Sequence, residues 1–375
     1  MKKISLYICF SLVLFLLFCC SKKDEWKGEI DYIDGVQVVT NYDKGIWEVS
    51  KKGKKIDFSE EVTIGTLEGD ENQQFHQPTY VMADRDENIY VLDSGNYRIQ
   101  KFDKNGNYLL TIGRKGQGPG DILRSSEIKL DSHNNILIFD IDNNRISKFD
   151  TRANFTGSFS VPFTPYHGVL DSGDNIYIYS RYKGKLIHKF GPQGQHLLSF
   201  MDEIKSNIKR IEPHINGSGR IGITQNNEIY LVLTSPYTIY FFDSKGKLLK
   251  RVITKAQHAI APYITPPSSP IPDAVLNSFF ITGVDISPQG YIFCRCGAYE
   301  TPEKLDSVEK IRELGTLLFR EYSYVDLFDT KGQYLIHQKT PYFYWGGCFD
   351  NKGYYYVIEE KDDYFRAVRY SIKIK

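Results

Sequence analysis

The stretch Asp84-Arg-Asp-Glu-Asn-Ile-Tyr-Val-Leu-Asp93 sets a short polar turn in front of a run built for a buried strand. The chain writes it again at Asp131-Ser-His-Asn-Asn-Ile-Leu-Ile-Phe-Asp140 and at Asp171-Ser-Gly-Asp-Asn-Ile-Tyr-Ile-Tyr179. Weaker copies follow at Gln225-Asn-Asn-Glu-Ile-Tyr-Leu-Val232, Pro288-Gln-Gly-Tyr-Ile-Phe293 and Asp350-Asn-Lys-Gly-Tyr-Tyr-Tyr-Val357. Taking Ile89 as the reference, the equivalent positions are 136, 176, 229, 291 and 354, spaced by 47, 40, 53, 62 and 63 residues.

A second element closes most units: Phe102-Asp-Lys-Asn-Gly106, Phe149-Asp-Thr-Arg-Ala153, Phe190-Gly-Pro-Gln-Gly194, Phe242-Asp-Ser-Lys-Gly246 and Phe328-Asp-Thr-Lys-Gly332. Each places turn chemistry between two alternating apolar runs, which is a tight hairpin. Units of this size and content are four-stranded blades, and six of them predict an all-β, six-bladed propeller of antiparallel sheets. With strands A to D counted outward from the axis, the first blade reads Thr79–Ala83, Ile89–Leu92, Ile99–Phe102 and Tyr108–Ile112. Further A strands are expected at Glu127–Leu130, Gly168–Leu170, Arg220–Ile223, Gly283–Ile286 and Gly347–Phe349. The sixth blade ends after its C strand, Phe365–Ile374, so Glu61–Leu67 near the N-terminus is expected to supply the fourth strand and close the ring. The expected organisation is a leader over residues 1–19, a linker and N-terminal segment over 20–58, and the propeller over 59–375.

Lys2 and Lys3 precede an apolar run, Leu6 to Phe18, too short to span a bilayer stably. Leu17-Phe18-Cys19-Cys20-Ser21 resembles a bacterial lipobox, with Cys20 as the lipidated residue because the choice of Cys19 would put bulky Phe18 at the cleavage position. The following Lys23-Asp24-Glu25 resembles the surface-export signal of Bacteroidetes lipoproteins, which implies an outer-membrane protein at the cell surface; a periplasm-facing anchor is the alternative. Removing the leader leaves 45 basic against 46 acidic side chains, a balance that attracts neither nucleic acid nor an anionic membrane surface. The membrane is met through the lipid anchor only. Cys294 and Cys296 fall on one face of a strand, too far apart to bridge, and are expected as buried free thiols.

Phe75-His-Gln-Pro78, Asn88–Asp93, Asn96–Asp103, Gly106 and Ile112-Gly113 stand where the NHL repeat has its signature residues, and Gly116 through Asp150 repeats the pattern. With the lipobox and six units, the chain resembles the six-bladed propeller lipoproteins of Bacteroidetes. That resemblance implies a fold and a compartment but no activity.

In a blade, the A–B and C–D turns lie on one face and the B–C turns and blade connections on the other. The first set is uniformly short here. The long segments, Arg114–Ser126, Phe159–His167, Met201–Gly219, Arg251–Thr282, Cys296–Tyr322 and His337–Gly346, all fall on the second face. Pro302 to Phe319, with Leu305, Val308, Ile311, Leu314 and Leu318 at helical spacing, is expected as a helix inserted in blade five. Long loops on a rigid scaffold usually carry function. Five of the eight histidines, His76, His167, His214, His258 and His337, fall there with several aromatic clusters. Arg114, Tyr166, His167, Arg210, His214, Tyr263, Tyr342, Tyr344 and Trp345 are the candidate ligand-binding residues. Aromatic faces flanked by hydrogen-bonding groups suit a glycan, a peptide or a partner protein.

No nucleophile signature and no metal-helix motif occurs, so no catalytic residue, metal ligand or cofactor is assigned. The different-class alternative is a lactonase- or lyase-like enzyme holding calcium or zinc over the axis. Gly113–Gly120 is glycine-rich, but a strand rather than a helix follows it, so it is read as a linker and not a phosphate cradle. Asp93, Asn96 and Arg98, repeated as Asp140, Asn143 and Arg145, are read as turn capping because they recur.

Overall fold

The aspartate that opens four of the six A–B turns is a local template. Asp84 Oδ1 accepts from the backbone N–H of Asp86 (3.0 Å) and Asn88 (2.8 Å), while Oδ2 accepts from Asn88 Nδ2 (2.8 Å) and the Tyr90 hydroxyl (3.1 Å). Asp131, Asp171 and Asp350 make the same Oδ1 bonds two and four residues on. Asp103, Asp150, Asp243 and Asp329 do so in the C–D turns. Such side-chain bonds give the chain a turn conformation independent of tertiary contacts.

The strand after each A–B turn is buried on both faces: all five residues of Ile89–Asp93, Ile136–Asp140 and Ile229–Leu233 are inaccessible. Outer strands alternate instead, as in Phe155–Ser160. This gradient from a dry second strand to a half-wet fourth follows from stacking each sheet between two others.

The computed structural model describes residues 26–50, 53–207, 209, 212–217, 219–256, 258–259, 263–264, 275–276, 279–298, 323–341 and 345–375. Within them, six antiparallel four-strand units surround an axis. The inner strands are Tyr80–Ala83, Ser125–Leu130, His167–Leu170, Arg220–Ile223, Phe279–Ile286 and Trp345–Phe349. Each agrees with its expected A strand to within a residue or two, except in blade five, where the strand starts four residues earlier. His337 lies inside the outer strand Tyr334–Lys339 and not in the connection after it. The expected helix over 302–319 falls outside the described residues.

The last strand, Tyr364–Ile374, pairs antiparallel with Ile56–Ile64, from Ala367↔Ile64 to Ile374↔Ile56. The strand that completes blade six therefore sits five residues upstream of the Glu61 start read from sequence, and it begins ahead of residue 59. The earlier start follows from strand pairing, which extends along the whole of the long partner. Arg366 clasps this junction, bonding Glu60 through Nη1 and Nη2 and Glu359 through Nε and Nη2.

Residues 28–50 pack on the outside. Gly28–Ile33 and Val36–Tyr42 form a hairpin whose second strand runs parallel to Leu248–Lys255, widening blade four to six strands. Asn41, 1% exposed, bridges blades four and five: its Nδ2 donates to Gly332 O (3.0 Å) and its Oδ1 accepts from Tyr334 N (2.8 Å). A single helical turn, Ile46–Val49, follows and packs on the outer strand of blade five.

The repeated Asp–Asn–Arg sets are fasteners. Fully buried Asp93 accepts from Arg98 Nε and Asn96 Nδ2, both at 2.8 Å, and from the His76 backbone N–H at 2.7 Å. Arg98 then donates to the carbonyls of Glu71 and Gln74, tying the inter-blade connection to the blade. Asp140 and Arg145 repeat this, with Arg145 donating to the carbonyls of Gln117, Gly118 and Asp121. The glycine-rich loop thus turns carbonyls toward a cation, the opposite of a phosphate cradle.

Candidate functional site

The inner strands leave a cavity of about 520 Å³ on the axis. Its rim is formed by the starts of these strands, Thr79, Arg124, Ser126, Tyr166, His167, Arg220 and Thr282, so it opens toward the face that carries the long connections. Its floor is apolar, with Leu130, Leu170, Ile223, Ile286 and Phe349. Between rim and floor lies a belt of charge, supplied chiefly by blades two, four and five.

Blade two contributes Glu127 and Lys129, alternate residues of one strand and hence on one face. Their side chains pair at 2.5 Å, and Lys129 Nζ also donates to the Tyr80 hydroxyl (2.6 Å) while lying 4.4 Å from that ring's centroid. Glu127 Oε2 accepts from the Gly168 N–H (2.9 Å) and stands 3.8 Å from His167 Nδ1. Burial alone would raise the Glu127 carboxyl, but the charge of Lys129 and the contact with His167 outweigh it and hold the group at about 2. His167 is pushed below the ordinary imidazole range by burial and by Arg220.

Arg220 of blade four donates to the carbonyls of Thr282 and Gly219, both at 3.0 Å, and no carboxylate pairs with it among the described residues. Burial and the neighbouring charge of Arg295 lower it to about 10. Arg295, on the second strand of blade five between Cys294 and Cys296, is 4% exposed. Its Nη2 lies 3.4 Å from Asp285 Oδ2, and its Nε and Nη1 have no hydrogen-bond partner among the described residues. Asp285 also accepts from the Tyr355 hydroxyl (3.1 Å), and burial raises its carboxyl.

Three cations therefore face two carboxylates, and the donors left over belong to a guanidinium that is almost wholly out of water. Leaving such groups unmatched is costly. The chemical capacity of the belt is to receive an anionic oxygen, most readily a carboxylate, with Tyr80, Tyr230 and Tyr166 supplying ring faces.

Of the residues singled out from sequence, Tyr166 and His167 come together at this rim, Tyr166 being 48% exposed. Arg114 is exposed on the connection between blades one and two, paired with Asp121 at 2.8 Å, and does not line the cavity. Arg210, Tyr342 and Tyr344 lie outside the described residues, as do Cys20 and the side chains of His214, Tyr263 and Trp345. Glu127, Lys129, Arg220, Asp285 and Arg295 were not foreseen. Their only local signal is a charge inside an inner strand or, for Arg295, inside an otherwise apolar second strand.

The opposite face has a second depression of about 430 Å³, lined by the A–B turns. Its acids are committed to those turns: Asp174, for example, accepts from Ser132 N (2.8 Å) and Oγ (2.7 Å).

A family model described as a 6-bladed beta-propeller matches residues 45–198. No curated protein matches the chain. Among solved structures, a Bacteroides fragilis protein described as exported is similar at 12% identity and a TM-score of 0.59, over 90% of this chain and 99% of that one. A Bacteroides vulgatus member of the duf4221 family is similar at 11% identity and a TM-score of 0.57, over 86% and 99%. A Bacteroides thetaiotaomicron protein of unknown function follows at 12% and 0.52, over 94% and 84%. At these identities the likeness concerns the fold alone, and the chain is a six-bladed β-propeller. Among the described residues no helix is long and apolar enough to cross a membrane.

Proposed function

We propose that this propeller is a lipid-anchored, surface-exposed binding protein whose axial cavity takes a carboxylate-bearing glycan presented to the loop-rich face. The supporting observation is Arg295: a guanidinium 4% exposed, lining the cavity, with Nε and Nη1 unpartnered among the described residues. Arg220 and Lys129 add positive charge beside it, and about 520 Å³ accommodates one or two sugar rings. Tyr166 at the mouth offers a flat face to the next ring. The anchor rests on the leader, on Cys20 and on Lys23-Asp24-Glu25.

Calorimetry with uronic-acid oligosaccharides, their neutral counterparts and acidic peptides tests this. Binding of the acidic sugar, weakened at least about tenfold by Arg295→Met, is expected, since a charge-assisted bond contributes on the order of 1.5–3 kcal/mol. Equal binding of neutral sugars sinks the reading. Preference for the acidic peptide moves it to a peptide or partner protein. Turnover of a bound lactone or glycan that a chelator abolishes would replace binding with the metal-dependent alternative. That alternative gains little from the belt, where Lys129 and Arg295 already neutralise the carboxylates a cation would need.

A further inference from the structure

Away from the axis, at the outer edge of blade five, Asp326 is fully buried. Its Oδ2 is 3.0 Å from His258 Nε2, its Oδ1 is 2.7 Å from His337 Nδ1, and the Tyr334 hydroxyl donates to Oδ1 at 3.2 Å. The three metal-capable residues come from separate segments: the connection after blade four, the third strand of blade five and its fourth strand. Their donor atoms all lie within 4.8 Å of one another.

The imidazoles are held by stacking. His258 lies on His337 with centroids 3.9 Å apart at 21°, and Tyr324 covers the other side of His337 at 4.4 Å and 14°. In front of them is a cavity of about 600 Å³ lined by Asp43, Lys44, Glu48 and Tyr334 among others. Glu48 is positioned beside the histidines by its Oε2, which accepts from the backbone N–H of Gly45 (2.7 Å) and His337 (3.3 Å).

We propose that His258, Asp326 and His337 form a site for a divalent transition metal, with zinc as its simplest occupant. Two imidazoles and one carboxylate, with no thiolate among them, are the ligand set of borderline cations. The nitrogen–oxygen separations of 2.7 and 3.0 Å approach those of adjacent donors around an ion with bonds of about 2.0–2.2 Å. Small tilts of the stacked rings bring their lone pairs onto the cation. An imidazole that carries its proton on the nitrogen facing Asp326 passes it through solvent to the other ring nitrogen when that nitrogen takes the cation, a change of tautomer with no net change in ring protonation. The open cavity leaves room for water, or for Glu48, as a further ligand. A structural carboxylate alone would not need two histidines converging on it beside an open cavity.

The test is zinc titration of the full chain, stripped with chelator and with its thiols blocked, by calorimetry, and cobalt titration by visible absorption. One equivalent is expected, with zinc raising the melting temperature of the parent and not of His258→Ala/His337→Ala. Loss of either histidine is expected to weaken binding by at least the roughly 10–100-fold that loss of a mere outer-shell partner costs. Glu127→Gln, in the axial belt, is expected to bind zinc as the parent does. Failure of the folded parent to take up one equivalent overturns the proposal, as does undiminished binding by the double variant. Asp326→Asn is left aside because a buried carboxamide there risks the fold.

Discussion

The Arg295 guanidinium lies against the bare Cα of Gly283: a Cβ built on that glycine would stand 1.9 Å from Nη2. The inner strand of blade five is thereby cut away to let a side chain from the second strand reach the axis. Gly283→Ala must displace the arginine or bend the strand, and overpacking of this kind costs about 1–3 kcal/mol. Denaturant unfolding is expected to show that loss, and acidic-sugar binding to weaken with it, whereas Gly184→Ala on an open turn is expected to leave binding unchanged.

Glu127 sets a pH signature. Its carboxyl is held near 2 in the fold, against an ordinary 4.5. A depressed carboxyl contributes stability that is complete above the ordinary value and is lost as pH falls toward the folded one. Between pH 4.5 and 2 the parent should therefore lose more stability than Glu127→Gln, read as the difference in denaturation midpoint across that window. Equal losses would show that Lys129 and His167 do not hold the carboxylate as described.

Arg366 is the clasp of the ring. Glu359 is 2% exposed and bonded by Arg366 and the Tyr370 hydroxyl. Arg366→Met strands that carboxylate, and breaking a buried pair from one side costs about 3–5 kcal/mol. The expected result is a large fall in melting temperature, partly recovered by Glu359→Gln in the same chain.

Asn41→Ala removes a buried amide that serves Gly332 O and Tyr334 N and also accepts from Trp26 Nε1 at 2.8 Å. Leaving buried partners unmet costs about 1–3 kcal/mol each. Hydrogen exchange should locate the loosening at the junction of blades four and five, with blades one to three unchanged.

The blades were legible because each one is specified locally: a short polar side chain templates the turn, an aspartate in four blades and Thr224 or Ser287 in the other two, and an apolar strand follows at a fixed distance. The ends of Tyr108–Ile112 and Arg220–Ile223 coincide with the expected ones for this reason. Residues 28–58 were not legible, since adding a parallel strand to the edge of blade four depends on which edge is left open after the ring forms. The axial belt was hidden differently. Glu127, Arg220, Asp285 and Arg295 are scattered over 169 residues and meet only when the ring closes. A trace was nevertheless present: Arg295 interrupts the run Ile292-Phe293-Cys294, where a strand buried on both faces tolerates a charge only if something answers it. The His258–Asp326–His337 cluster left only Asp326 as such a trace, a charge inside the buried run Val325–Phe328, because its histidines fall in segments where histidines are unremarkable.

The pairing of Tyr364–Ile374 with Ile56–Ile64 joins segments about three hundred residues apart. The ring is therefore unfinished until the strand Tyr364–Ile374 has been made, and Ile56–Ile64, which precedes every other strand of the six blades, is the last of them to find its neighbour. Contacts of such separation form slowly, and an unpaired strand is a template for the wrong partner. Truncation by even the final dozen residues would leave both edges of the seam open and turn a closed ring into an adhesive one.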